Sequence, residues 1–345
     1  MLRLPAFQLH RPTTLAEALE LAASLPSCRF IAGGTDLLPN LKHEMIEAAH
    51  VVSLAGVPEL RDIRVKDNGD LVIGPMTSLA DVAASADVQR IAPALATAAG
   101  LVAGPQHRNQ GTLGGNVMLD TRCQWINQSY FWRSALGFCL KKDGSLCHVI
   151  AGGKRCVAAV SNDSIAPLYT LNAKLTFQSR PTPEMLAAGA PDELQTRPVP
   201  VDALFKADGA YNKKTALHEI LTSIEIPATP AGHRGAYQKL RLRDSIDFPQ
   251  LGVAARLDLD EAGTIAHADA VVIALAARPV RVKKASELLI GQTPGTPEFE
   301  AALAQLADLT ERSCRPLPNI PGDDAWRSKM VPVYLKKAVR ACLES

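Results

Sequence analysis

Four of the chain's seven cysteines, Cys123, Cys139, Cys147 and Cys156, fall in one stretch with the spacing C-x15-C-x7-C-x8-C. This stretch constrains the fold more than any other segment. Residues 120–157 show no sustained helical or strand period, and a loop of that length inside a compact domain is either functional or held together by something. Five of the chain's 16 aromatic residues (Trp125, Tyr130, Phe131, Trp132 and Phe138) lie between the first two cysteines. They either wall off a dry centre or pack a loop poor in regular structure. The opening Met1-Leu2-Arg3-Leu4-Pro5-Ala6-Phe7 has no long apolar core, and no window approaches 18 unbroken apolar residues. A cytoplasmic chain with reduced thiols is therefore expected.

Clustered thiols in that setting point to metal ligation. Iron–sulfur clusters take four thiolates at irregular spacing, whereas structural zinc sites use cysteines about two to four residues apart. The spacing favours a [4Fe-4S] cluster on Cys123, Cys139, Cys147 and Cys156, with zinc as the alternative and free or disulfide-linked thiols behind it. His148 is expected either to be structural or to support the ligands from behind, and the scattered Cys28, Cys314 and Cys342 to be small buried hydrophobes. Lys141, Lys142, Lys154 and Arg155 form either a solvated face or a positive rim that offsets cluster charge or docks an acidic electron donor.

At 345 residues the chain exceeds one ordinary core, so two or three domains are expected. Its net charge of +2 is scattered, with no basic face for nucleic acid or an anionic membrane. Apolar periodicity predicts mixed α and β structure: a helix at 13–25 capped by Thr13 or Thr14, strands at 28–32 and 51–54, a hairpin around Asn68-Gly69, and helices at 79–86 and 91–103. After the cysteines come a helix at 164–171 and a strand at 173–178. The segment 180–200, with five prolines, reads as a surface excursion. Strands at 217–226, 233–243, 251–259 and 271–275 and helices at 286–289, 299–310 and 331–343 complete the chain. Pro227, Pro230 and Gly232 mark a boundary, giving domains 1–226 (with 120–160 as an insertion) and 233–345.

Two Gly-Gly segments stand out. Ile31-Ala32-Gly33-Gly34-Thr35-Asp36-Leu37 follows a strand, and Thr112-Leu113-Gly114-Gly115-Asn116 precedes the cysteines. Adjacent glycines let backbone N–H groups approach an anion with no Cβ in the way. Neither segment is a P-loop or a spaced G-x-G-x-x-G turn. One alone is weak, but two together can clamp a pyrophosphate from opposite sides; the alternative is two unrelated turns.

These segments, together with "FQLHRPTTLAEAL" (7–19), "SNDSIAPLYTLNA" (161–173) and "YQKLRLRDSIDFPQLGVAA" (237–255), resemble the FAD-binding subunits of the xanthine dehydrogenase and carbon monoxide dehydrogenase superfamily of molybdenum hydroxylases. The resemblance implies an α+β fold. A PCMH-type FAD-binding domain of two α/β subdomains would precede a smaller C-terminal α+β domain of the CO dehydrogenase flavoprotein type. It implies that Ile31, Ala32, Gly33, Gly34, Thr35, Asp36, Leu37, Thr112, Gly114, Gly115 and Asn116 hold FAD, with Asp163 and Lys239 near its flavin side. The cysteine insert resembles that of the β subunits of 4-hydroxybenzoyl-CoA reductases, where four cysteines bind a [4Fe-4S] cluster. A related insert occurs in the FAD subunits of bacterial aldehyde oxidoreductases. The implied protein is an electron-transfer subunit with no catalytic residues of its own. Its implied partners are a large molybdopterin subunit and a small [2Fe-2S] subunit, assembled as (αβγ)2. Also implied are electrons from ferredoxin and reductive dehydroxylation of an aromatic CoA thioester. An aldehyde or N-heterocycle oxidoreductase subunit is the alternative, and a zinc-stabilised non-redox interaction protein is the alternative of another class.

Overall fold

The computed structural model describes residues 2–344; Met1 and Ser345, the outer ends of the two expected domains, lie outside the described residues. Three sheets organise those residues. Strands β1 (Gln8–His10), β2 (Cys28–Ile31) and β3 (His50–Ser53) form a parallel sheet in the order β1-β3-β2. Parallel strands need a crossover, and the helix Leu15–Ser24 supplies the first. Thr14 caps that helix by accepting the Glu17 N–H, and the Glu17 carboxylate accepts the Thr13 N–H at 2.8 Å. Ala18, Leu19 and Ala22 bury its inner stripe.

Strands β4 (Ile63–Val65), β5 (Leu71–Ile73), β6 (Lys174–Ser179), β7 (Gln195–Pro200) and β8 (Ile220–Ile226) form a second sheet in the order β4-β5-β8-β6-β7, antiparallel throughout. The expected hairpin joins β4 to β5, with Gly69 at φ +86°. The segment 180–200 is not a plain excursion: it holds the helix Pro183–Ala187 and the edge strand β7. Pro198 and Pro200 obscured the strand. Proline cannot donate to a ladder, but an edge strand pairs on one side only and tolerates it.

Strands β9 (His233–Leu240), β10 (Leu251–Leu259), β11 (Ile265–Ile273) and β12 (Val280–Arg281) form an antiparallel sheet in the order β12-β11-β10-β9. Both faces of β10 are covered. Val253, Ala255 and Leu257 share a core with Phe299, Leu303, Val331 and Leu335 of the last two helices. Ala254 joins the larger core around Leu95, Leu113, Ile165 and Phe177. This double burial is why β10 reads as an apolar run with little alternation.

The helices depart from expectation where proline intervenes. Pro93 opens its own helix, Pro93–Gly100, and separates it from Ala86–Ile91. The last helix spans Asp324–Glu344, starting earlier than expected and running through Pro332. Its buried stripe of Val331, Leu335, Ala338, Val339 and Cys342 outweighs the roughly 3 kcal/mol cost of an interior proline. Fully buried Arg327 pins its first turns by donating to the carbonyls of Gln250, Leu317 and Ala274. Among the described residues no helix is long and apolar enough to cross a membrane.

Candidate functional site

The turn after β2 and the segment around Gly114 face each other across a cavity of about 660 Å³. Of the thirteen residues expected around a flavin, all but Ile31 and Lys239 line it. The two glycine pairs divide their work alike. A Cβ on Gly33 would stand 1.8 Å from the Gln110 carbonyl oxygen, and one on Gly114 would stand 2.5 Å from Pro75 Cβ, so the first glycine of each pair lets backbones touch. Gly34 takes φ +74° to turn the chain, and Gly115 is exposed to the cavity. The second segment is not a loop. It is the short helix Leu113–Val117, capped by the Thr112 hydroxyl, which accepts the Gly115 N–H at 3.0 Å.

The cavity fits a dinucleotide cofactor in size and chemistry, with glycine-faced backbone at two sides and apolar residues interspersed with charged ones such as Arg122 and Asp163 elsewhere. Asn116 serves structure: its side-chain oxygen accepts the Ser164 N–H at 3.1 Å. That bond ties the short helix to the segment carrying Asp163. Asp163 lines the cavity, accepting from the Tyr237 hydroxyl at 2.8 Å and the Lys239 ammonium at 3.2 Å. Burial pushes its carboxyl up, opposed by Lys239 and Tyr237. Lys239 is fully buried one layer behind, also donating to the carbonyls of Leu101 and Asp247. Ile31 lies beneath Gly34.

The sequence reading missed Arg122, Asp120, Lys213 and Phe248. Arg122 lines the cavity, pairs with Asp36, and lies over the Phe248 ring at 4.5 Å from its centroid. Burial would raise the Asp120 carboxyl, but the Lys141 ammonium at 2.9 Å outweighs it and holds the group below the usual range. Burial pushes Lys213 down to about 8. Only the opposite signs of Asp36 and Arg122 could have suggested this cluster from sequence. Lys141 therefore is no surface cation: it turns inward to Asp120, Thr121 and the Gly209 carbonyl. Lys142 pairs with Glu47, while Lys154 and Arg155 remain exposed.

Cys123, Cys139, Cys147 and Cys156 line one small second cavity with Trp125 and Ile126. The insert that carries them is closed at its neck by a reciprocal backbone pair, Arg122 N–H to Ala159 O at 2.8 Å and Ala159 N–H to Arg122 O at 2.7 Å. Inside, its one helix among the described residues is Tyr130–Ala135, and turns at Gly137, Phe138, Asp143 and Gly152 take positive φ. Burial pushes the Cys123 thiol up to about 12, with the Trp125 backbone pulling it down and the other three cysteines adding to the rise. Backbone N–H groups point at two other sulfurs, Ile150 to Cys147 at 3.5 Å and Ala158 to Cys156 at 3.4 Å. Four sulfurs around one pocket, with amide donors aimed at two of them, suit thiolate ligands of an iron–sulfur cluster. Among the described residues no group of three or more His, Cys, Asp or Glu is placed to hold a metal ion. Trp125 stacks on His148 with ring centroids 5.0 Å apart, and His148 Nε2 bonds the Phe138 carbonyl oxygen at 2.7 Å. The aromatics do not all wall the pocket: Phe131 is 83% exposed. Cys28, Cys314 and Cys342 are buried elsewhere.

Residues 5–229 match the family described as "FAD binding domain in molybdopterin dehydrogenase", and residues 235–342 match the "CO dehydrogenase flavoprotein C-terminal domain". The xanthine dehydrogenase FAD-binding subunit of Escherichia coli O157:H7 is 30% identical over 279 residues, covering 81% of this chain and 77% of that one. The aldehyde oxidoreductase FAD-binding subunit PaoB of Escherichia coli K12 is 32% identical over 269 residues, covering 76% and 80%. A solved structure of carbon monoxide dehydrogenase from Hydrogenophaga pseudoflava matches with a TM-score of 0.76 at 27% identity, covering 99% of both chains. The chain belongs to this family, as an FAD-binding electron-transfer subunit of a molybdenum hydroxylase.

Proposed function

We propose that the chain carries a [4Fe-4S] cluster on Cys123, Cys139, Cys147 and Cys156 beside its FAD, and relays electrons between the two. The observation that carries this is the shared cavity of the four cysteines, one residue along the chain from Arg122 in the flavin cavity. Bound FAD supplies a centre that exchanges two electrons and can pass them singly. The chain's own residues position it. The backbone at Gly34, Thr35, Gly115 and Asn116 is suited to cradle the pyrophosphate. Asp163, held by Tyr237 and Lys239, offers a fixed acceptor at the wall. The remaining lining residues Ala32, Gly33, Asp36, Leu37, Thr112 and Gly114 shape the cradle. Zinc is disfavoured because structural zinc sites use cysteines about two to four residues apart, and no two of these four are that close.

The whole complex, in this proposal, is cytoplasmic and joins a molybdopterin large subunit and a [2Fe-2S] small subunit as (αβγ)2. Domain 1–226 holds both cofactors and 233–345 closes the cavity. The cysteine insert supports a 4-hydroxybenzoyl-CoA reductase-like role fed by ferredoxin. A second reading, aldehyde oxidation with electrons leaving through FAD, is favoured by the 32% identity to PaoB. The test is anaerobic purification with iron, acid-labile sulfide, zinc and flavin analysis, followed by assays with an aromatic CoA thioester and with aldehydes. About four iron and one FAD per chain is the expected result; one zinc without iron would refute the cluster. Turnover of only one substrate class decides between the two readings.

A further inference from the structure

We propose, resting on the assignment of FAD and an iron–sulfur cluster to the two cavities, that Arg122 is the positioning residue that couples them and that its fixed charge sets the redox balance between them. Its guanidinium lines the flavin cavity, while the next residue, Cys123, lines the cysteine cavity. Its backbone is fixed by both bonds to Ala159 across the neck of the insert. Its side chain is 12% exposed and has three anchors: Asp36, the Asn40 side-chain oxygen at 3.4 Å, and the Phe248 face. The wall is shared further by Asn127, which lines the flavin cavity and accepts the Cys123 N–H at 2.9 Å.

Arg122 pairs with Asp36 and Lys141 with Asp120, and Lys213 lies close enough to feel all four charges. Among the described residues no acceptor meets the buried Arg122 Nε, so one N–H of this cation is left unpaired beside the two cavities. Reduction of either centre adds negative charge nearby, and a desolvated cation beside it stabilises the reduced form. Arginine holds its proton at any working pH, so the effect needs no titration. Its planar fork also explains the choice over lysine, since one group pairs a carboxylate and stacks on a ring at once.

The test uses the full chain with its partner subunits, purified anaerobically as wild type, Arg122→Gln and Arg122→Lys. Iron and FAD contents are measured first, then flavin absorbance during an anaerobic reductive titration. Arg122→Gln should keep both groups yet show about tenfold less reduced flavin at a fixed potential, about 30 mV for a two-electron couple. Arg122→Lys, which keeps the charge, should restore most of that loss. An Arg122→Gln protein that titrates like wild type, with both groups bound, overturns the inference. So does an equal shift, or equal loss of FAD, in both variants, which would make Arg122 a packing residue. Wild-type protein without iron would instead sink the cluster assignment itself.

Discussion

Substitution of two of the cavity glycines, Gly33 and Gly115, separates packing from cofactor binding. A Cβ at Gly33 would sit 1.8 Å from the Gln110 oxygen and 2.4 Å from its carbonyl carbon, where real Cβ contacts stay beyond 3.0 Å. In Gly33→Ala the turn after β2 and the Gln110–Gly111 backbone must part by at least 1.2 Å. Neither side is the end of a flexible side chain. Overpacking costs about 1–3 kcal/mol, and a backbone-on-backbone clash belongs at the upper end. A loss of about 3 kcal/mol lowers the melting temperature by roughly 6–12 °C for a domain of this size. Gly115→Ala is the contrast. Its Cβ meets Thr112 Oγ1 at 3.1 Å and Ala32 Cβ at 3.9 Å, and otherwise enters the cavity. That position is helical, so alanine should leave the melting temperature unchanged or slightly higher. FAD should bind about tenfold more weakly, near 1.4 kcal/mol. Thermal unfolding of flavin-stripped protein, then calorimetric titration with FAD, reads both quantities. The reasoning is refuted if stripped Gly33→Ala melts with wild type, or if Gly115→Ala binds FAD at wild-type affinity.

Other perturbations address other layers. Cys139→Ser should lose iron by metal analysis while flavin absorbance persists; loss of both would mean that the insert supports the flavin fold. Arg327→Met removes the donor to three buried carbonyls and should cost about 3 kcal/mol in denaturant unfolding; a cost below about 1 kcal/mol would show that water replaces it. Asp258 accepts from His233 at 2.8 Å and from Arg256. Burial would raise its carboxyl, but those bonds hold it down at about 2. A depressed carboxyl stabilises the fold above its unfolded value near about 4 and loses that contribution as pH falls through about 2. Wild type should therefore exceed Asp258→Asn by about 2 kcal/mol at pH 6, a gap that closes between pH 4 and pH 2 in acid unfolding; a gap independent of pH would count against the bond.

Strands with a clean apolar run followed by Gly-Gly were legible because backbone freedom and burial both leave marks in residue type. The helix Leu113–Val117 was not, since two of its five residues are glycines and its stability comes from the Thr112 cap and from packing on Pro75. β12 is two residues long and has no period to read. The four clustered cysteines were legible as a set, but their shared cavity depends on turns at positive φ that no periodicity announces. Arg122 drew no expectation, and Lys141 read as a solvated face or a positive rim, because a charged side chain buries only when its partner is supplied from far along the chain. Asp36 lies 86 residues from Arg122. Lys239 was placed near the flavin, yet it lies behind Asp163, a depth that sequence spacing does not encode.

The reciprocal pair at Arg122 and Ala159 means that residues 123–158 leave the flavin fold and return to it at one point. A graft of this kind is cheap for its host. Closing a longer loop costs free energy only with the logarithm of its size. If the insert holds the proposed cluster, that centre has the character of a cartridge: one insertion or deletion event would add or remove it, and with it Asn127 from the wall of the flavin cavity.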